Sequence, residues 1–178
     1  PRGLKRSQFQ ELLRCDWIRQ GHNALIVGPT GVGKTFLACA LGNAACRQGL
    51  SVRYYRVPTL LREAAVAQGD GQYFELLKTL RKAELLILDD WGLANLLPAE
   101  SRDLLEVLED RSQRFSTLVA SQLPIEHWHQ SLGDSTIADA ILDRIIHKAH
   151  KVLLRGESMR KITRDSENEA EFHSKKED

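Results

Sequence analysis

The run Gly28-Pro29-Thr30-Gly31-Val32-Gly33-Lys34-Thr35 constrains this chain more than any other feature. It follows a short apolar segment of strand type, Ala24-Leu25-Ile26-Val27, and precedes helix formers with apolar faces from Phe36 to Arg47. A strand, a glycine-rich turn and a helix in that order make the context of a phosphate-binding loop of pattern G-x-x-x-x-G-K-[ST]. Small residues let successive backbone N–H groups curl around an anion, and the helix start adds unpaired donors and the positive end of its dipole. Gly28, Pro29, Thr30, Gly31, Val32, Gly33, Lys34, Thr35 and Phe36 are therefore candidate nucleotide contacts. Lys34 is expected to reach the β- and γ-phosphates, and the Thr35 hydroxyl to help hold Mg²⁺.

A second motif narrows the chemistry. Glu84-Leu85-Leu86-Ile87-Leu88 reads as a buried strand and ends in Asp89-Asp90. A parallel strand ending in acid puts carboxylates at the carboxyl edge of the sheet, where α/β folds bind ligands. Asp89 is then placed to reach the Mg²⁺ shell through water, and Asp90 to polarise an attacking water. Two acids after a strand can equally open a turn and cap the next helix; the loop at 28–35 favours the catalytic reading.

The remaining segments predict alternation. A helix is expected over Ser7–Arg19, a strand near Asn23–Val27 and a helix over Gly33–Gln48 stopped by Gly49. A strand over Val52–Val57 precedes helical stretches near Thr59–Ala67 and Tyr73–Lys82, separated by Gly69-Asp70-Gly71. After the acidic strand come a helix over Ala99–Gln113, a strand over Ser116–Ala120, a short helix over Ile125–Leu132, a longer one over Thr136–His150, and a short strand over Lys151–Leu154. This order predicts a doubly wound α/β fold, a parallel sheet with helices on both faces. In such a sheet Tyr54 or Tyr55 is expected to point inward. Cys39 and Cys46, seven apart on one helix, are expected to share its buried face. All three cysteines are expected to be reduced, since an odd number without C-x-x-C spacing suits a cytosolic protein.

The chain has 178 residues, 42% hydrophobic and 28% charged, enough for one domain with a sizeable core. No apolar stretch is long enough to span a membrane and no signal-peptide pattern opens it, so a cytoplasmic location without membrane partners is expected. The start at Pro1 suggests a fragment or processed product. Residues 162–178 carry three basic residues against six acidic ones and almost no apolar content, so a disordered tail is expected there, after a domain over 1–161. The part before it is mildly basic, which is compatible with nucleic acid without demanding it.

Four groups stay open on spacing alone. Ser121-Gln122 follows a strand; its polar tip either faces a γ-phosphate and orders water or simply starts a turn. Arg144 is either an exposed arginine paired with Asp143 or Asp139, or an arginine finger supplied to a neighbouring subunit. His127, His129, His147 and His150 lack the further ligands of a zinc site. His147, Lys148, His150 and Lys151 fit a helix C-terminus, and with Arg155, Arg160 and Lys161 they form a basic cluster that either meets phosphate backbone or is solvated. Arg62 and Lys78 are further candidates for a nucleic-acid surface.

Taken together, the loop, Leu-Ile-Leu-Asp-Asp-Trp-Gly, Val-Ala-Ser-Gln-Leu-Pro with its following Trp-His, Ala138-Asp139-Ala140-Ile141-Leu142-Asp143-Arg144 and Arg155-Gly156-Glu157-Ser158-Met159-Arg160-Lys161 resemble the IstB-like ATP-binding proteins. These are AAA+ ATPases that assist the transposase of bacterial insertion sequences and are related to DnaC-type helicase loaders. The resemblance spans about Phe9 to Lys161. It implies a P-loop NTPase of AAA+ type with a five-stranded parallel sheet sandwiched by helices, ATP and Mg²⁺ as cofactors, and a lid domain reduced or absent. It further implies phosphate and Mg²⁺ binding at Lys34 and Thr35, acidic-strand roles for Asp89 and Asp90, a first sensor at Gln122 and an arginine finger at Arg144. A finger in trans implies self-association into a ring or filament. Duplex DNA and a transposase are the implied partners, with a replicative helicase as the alternative. Family members usually carry an N-terminal domain, helping to contact DNA and partners, that this chain is expected to lack. Asp90 stands where many relatives have Glu, and its shorter side chain and the missing lid both point to slow hydrolysis or, in another class of function, a non-catalytic ATP-dependent scaffold.

Overall fold

A computed structural model describes residues 3–158. The expected tail over 162–178, and Arg160 and Lys161 of the basic cluster, lie outside the described residues. The chain runs α1 (Arg6–Leu13), α2 (Asp16–Arg19), β1 (Asn23–Val27), α3 (Lys34–Arg47), β2 (Val52–Arg56), α4 (Val57–Gly69), α5 (Tyr73–Lys82), β3 (Leu85–Trp91) and α6 (Pro98–Arg111). It continues through β4 (Ser116–Ser121), a 3₁₀ turn (Ile125–His127), α7 (Trp128–Ser131), α8 (Ser135–Ile146) and β5 (Ala149–Leu153). The five strands pair in parallel in the order β2-β3-β4-β1-β5.

Strand composition follows position in the sheet. Every residue of β1 and β4 is buried, as the centre of a sheet covered on both faces requires. Alternate side chains feed two cores. Ala24, Ile26, Leu85, Ile87, Leu118 and Ala120 meet α1–α3, whereas Leu25, Val27, Leu86, Leu88 and Val119 meet the α4–α8 side. The edge strand β2 is only partly covered. Tyr55 packs against the second core while Tyr54 stays 40% exposed, so of the two tyrosines it is Tyr55 that points inward, as expected of one of them.

Three expectations are corrected. The first helix breaks at Cys15, whose φ of 60° ends α1 and starts α2. The break lets Leu12 and Trp17 both bury, with the Trp17 indole N–H donating to the Leu12 carbonyl at 3.0 Å. On α3 the stripe Leu37, Ala38, Leu41, Gly42 and Ala45 faces the sheet, and Gly42 lets Ile87 approach where a Cβ would stand 2.9 Å from its Cδ1. Cys39 and Cys46 therefore share the exposed face; all three cysteines are free. Helix α8 opens on Asp134, whose carboxylate accepts the Ile137 N–H, but it stops at Ile146. His147 and Lys148 (φ 53°) form a turn and the strand begins at Ala149, because pairing with β1 starts at Asn23↔Ala149. His150 and Lys151 thus belong to a strand rather than a helix end. No helix among the described residues is long and apolar enough to cross a membrane.

Candidate functional site

The carboxyl ends of β1, β4 and β3 lie side by side, and the loops that leave them converge on one cleft of about 730 Å³. Residues 28–33 form the loop between β1 and α3. The Gly28 N–H donates to the Ser121 carbonyl at 3.2 Å, which ties the loop to β4. Val32 is buried and anchors the loop, while Gly31 and Gly33 adopt φ of 79° and 104°, a region L-residues with a Cβ avoid. Lys34 folds back over this loop and donates to the carbonyls of Gly28 and Pro29 at 2.8 Å each. Burial pushes its ammonium pKa down, and the carboxylates of Asp89 and Asp90 pull the other way.

Asp89 is buried and receives three donors. Thr35 Oγ1 at 2.7 Å and the Tyr54 hydroxyl at 2.8 Å both meet Oδ2, and the Asp90 N–H meets Oδ1 at 2.9 Å. Burial, and next the hydrogen bond to Asp89, hold the Tyr54 phenol well above its usual pKa. Asp90 sits at a register shift in β3, with φ 58°, and its Oδ2 pairs with Arg56 Nε at 2.5 Å. At the tip of β4, Gln122 Oε1 accepts from Thr30 Oγ1 at 2.5 Å, so this side chain faces the loop. Ser121 is fully buried instead; its hydroxyl donates to the Trp91 carbonyl and accepts the Leu123 N–H.

These groups fit a magnesium–nucleotide. The loop offers glycine-freed backbone and an ammonium, Thr35 and Asp89 offer hard oxygen donors that already point at each other, and Leu4 and Leu154 line an apolar wall of the same cleft. Phe36 stands 82% exposed at the rim. The cleft so gathers all the loop residues from Thr30 to Phe36 with Asp89, Asp90 and Gln122.

Arg144 lies elsewhere. Its backbone carbonyl accepts from Asn23 Nδ2 at 2.8 Å, at the amino end of β1, one strand length from the loop. Its guanidinium reaches Glu109 at 2.5 Å and the Ala140 carbonyl at 2.8 Å. The partner is thus Glu109 of α6 rather than Asp143 or Asp139, and Arg144 does not reach the cleft of its own chain. His129 pairs with Asp139 at 3.2 Å, and no group of three metal-ligating side chains occurs among the described residues. Lys78 pairs with Glu75 at 3.2 Å, and Arg62 lines a separate groove between α4 and α5.

Sequence reasoning missed the grip of β2 on the acids. Tyr54 and Arg56 are two apart and so share a face, and the register Arg56↔Asp89 delivers both to the acidic tip. The available signal was the pair of polar-tipped residues ending β2; the pairing partner was not readable from spacing.

Residues 1–167 match the family model of the IstB-like ATP binding protein. The y4pL protein of Sinorhizobium fredii, named for an insertion sequence and ATP binding, is 53% identical over 163 residues, 92% of this chain. The IS1162 protein of Pseudomonas fluorescens, similarly named, is 57% identical over 123 residues, 69% of this chain. The chain spans 66% and 53% of the lengths of these two relatives. Among solved structures, that of DnaI superposes with a TM-score of 0.73 at 21% identity, covering 85% of this chain and 86% of that one, which supports a shared AAA+ P-loop fold. With sequence match, sheet order and loop geometry in agreement, the chain belongs to the IstB-like ATP-binding protein family.

Proposed function

We propose that this chain is the ATP-hydrolysing AAA+ core of an insertion-sequence transposition helper, one that assembles on duplex DNA and recruits or regulates the transposase. One observation carries the reading: Lys34, Thr35, Asp89, Asp90 and Gln122 converge on a single cleft while Arg144 stands at the opposite edge of the sheet. ATP with Mg²⁺ supplies a γ-phosphoryl group whose transfer to water the cleft promotes by positioning and charge. Lys34 exchanges two loop carbonyls for phosphate oxygens. Thr35 and Asp89 hold the metal shell, Gln122 orients the attacking water, and Asp90 accepts its proton once released from Arg56. Arg144 of a second copy completes the charge stabilisation, which makes turnover depend on assembly. The names of the relatives, which place them in insertion sequences, favour a transposase over a helicase as partner.

The test is ATP hydrolysis against protein concentration, with and without duplex DNA, for the wild type and Arg144→Ala. A steep rise with concentration, boosted by DNA and absent in the variant although ATP still binds, is expected. Full turnover by the variant overturns the finger role, and a flat, very low rate in the wild type points instead to an ATP-dependent scaffold. Pull-downs against a transposase and a replicative helicase separate the two partner classes.

A further inference from the structure

We propose that Tyr54 is a positioning residue for Asp89, setting how tightly the site holds its divalent cation; the proposal rests on the ATPase reading above. Tyr54 lies on the edge strand and its side chain is too exposed to be there for core packing. What is fixed is its hydroxyl, which donates to Asp89 Oδ2 at 2.8 Å. That oxygen also takes the Thr35 hydroxyl at 2.7 Å, while Oδ1 takes the Asp90 N–H at 2.9 Å. Two donors on one oxygen and one on the other fix both the plane and the reach of the carboxylate.

Of the three donors, only Tyr54 has no other task in the cleft. The Asp90 N–H is backbone, and Thr35 itself faces the cation. Deleting the phenol leaves Oδ2 held by a hydroxyl whose orientation the cation also dictates, so the carboxylate gains freedom when the cation needs it fixed. Outer partners of metal-binding groups commonly act this way. The placement follows from strand register. Tyr54 pairs with Ile87, and Asp89 lies two residues further along β3 on the same face. Tyr55, one residue on, packs into the opposite core and offers the matched control.

The experiment measures binding of a fluorescent ATP analogue across a Mg²⁺ titration and in EDTA, together with Mn²⁺ binding by electron paramagnetic resonance, on the whole chain. In Tyr54→Phe the half-saturating Mg²⁺ and Mn²⁺ concentrations are expected to rise about tenfold. Its analogue affinity in EDTA and its thermal midpoint are expected to stay at wild-type values, as is everything in Tyr55→Phe. Unchanged metal half-saturation in Tyr54→Phe overturns the proposal, and so does a parallel loss of affinity in EDTA, which would mark general damage. A wild type that binds the analogue with metal dependence while Tyr54→Phe matches it refutes the role of Tyr54 alone. A wild type that binds no analogue under any condition refutes the ATPase reading, and this proposal with it.

Discussion

Replacing Arg111 by Met tests how the end of the molecule opposite the cleft is held. Arg111 is 1% exposed and, among the described residues, has no carboxylate partner. Its guanidinium donates to the carbonyls of Leu80 (2.5 Å), Ala83 (2.8 Å) and Ser116 (2.6 Å), with Thr117 Oγ1 at 3.3 Å. It thereby clamps the end of α5 and the entries to β3 and β4 to the last turn of α6. Burial pushes its pKa down to about 10 from 12.5. At ~1.4 kcal/mol per unit, that shift is on the order of 3 kcal/mol of desolvation cost, which methionine does not carry. Against this, hydrogen bonds from a charged donor contribute about 1.5–3 kcal/mol each, so the three carbonyl bonds together outweigh it, and the carbonyls stay buried without their donor. The net loss expected for Arg111→Met is about 3 kcal/mol, within the range for breaking buried charged contacts. The variant should unfold ~6–12 °C lower, at about 2–4 °C per kcal/mol for a chain of this size. Urea titration followed by tryptophan fluorescence and circular dichroism gives the free energy. Well below the transition, nucleotide affinity should match the wild type, because the clamp lies at the amino ends of strands whose carboxyl ends form the cleft. A loss below about 1 kcal/mol would refute the reasoning, showing that the desolvation cost cancels the bonds.

Two further outcomes are expected. Lys34→Ala removes the one ammonium folded over the loop and should weaken ATP binding by about 100-fold, equivalent to ~2.7 kcal/mol, with no loss of thermal stability; calorimetric titration reads the first and a melting curve the second. His22 has its pKa lowered by burial and by the neighbouring His150 and Lys148, its ring 5.9 Å from that of His150. Because the folded chain then binds this proton less tightly than the unfolded chain, stability should fall as pH drops below about 6.5. Urea midpoints between neutral and mildly acidic pH should decline less steeply in His22→Asn; identical slopes would clear His22 of the effect.

What the sequence made legible was local. The phosphate loop, its strand and its helix are contiguous, so spacing alone located the loop, and the two acids stood out because they end an apolar run, whereas Gln122 stayed open on spacing and was singled out only by the family resemblance. What it concealed depends on neighbours far along the chain. Tyr54 and Arg56 gain their partners only through the β2–β3 register, and Arg144 gains Glu109 only through the packing of α8 on α6. The face of α3 was misjudged because cysteine counts as apolar, whereas the close approach to the sheet selects Ala38, Gly42 and Ala45 on the other side. The break at Cys15 had no glycine or proline to announce it. Its left-handed backbone is held by the burial of Leu12 and Trp17 on either side.

Asp90 shows why the most distinctive segments of this chain occur as a set. Strict alternation along β3 would send Leu86, Leu88 and then residue 90 into the core against α4–α8. Instead Leu88 is followed there by Trp91, because the register shift makes Asp90 an extra residue. A left-handed aspartate costs about 1–2 kcal/mol, so something must hold it. Trp91 does, being 1% exposed and packed at a tilt against Trp128 with ring centroids 5.5 Å apart, its carbonyl taken by the Ser121 hydroxyl. Burial of a side chain that size contributes more than the strain, at about 25 cal/mol per Å² of apolar surface. Gly92, at φ 71°, then leaves room for Leu123, whose carbonyl accepts the Trp128 indole N–H at 2.8 Å. Asp-Asp-Trp-Gly and Ser-Gln-Leu-Pro are therefore two halves of one interlock. The same fit that turns Asp90 out of the core and into the cleft sets Gln122 beside the phosphate loop, so a change in either half should displace both side chains together.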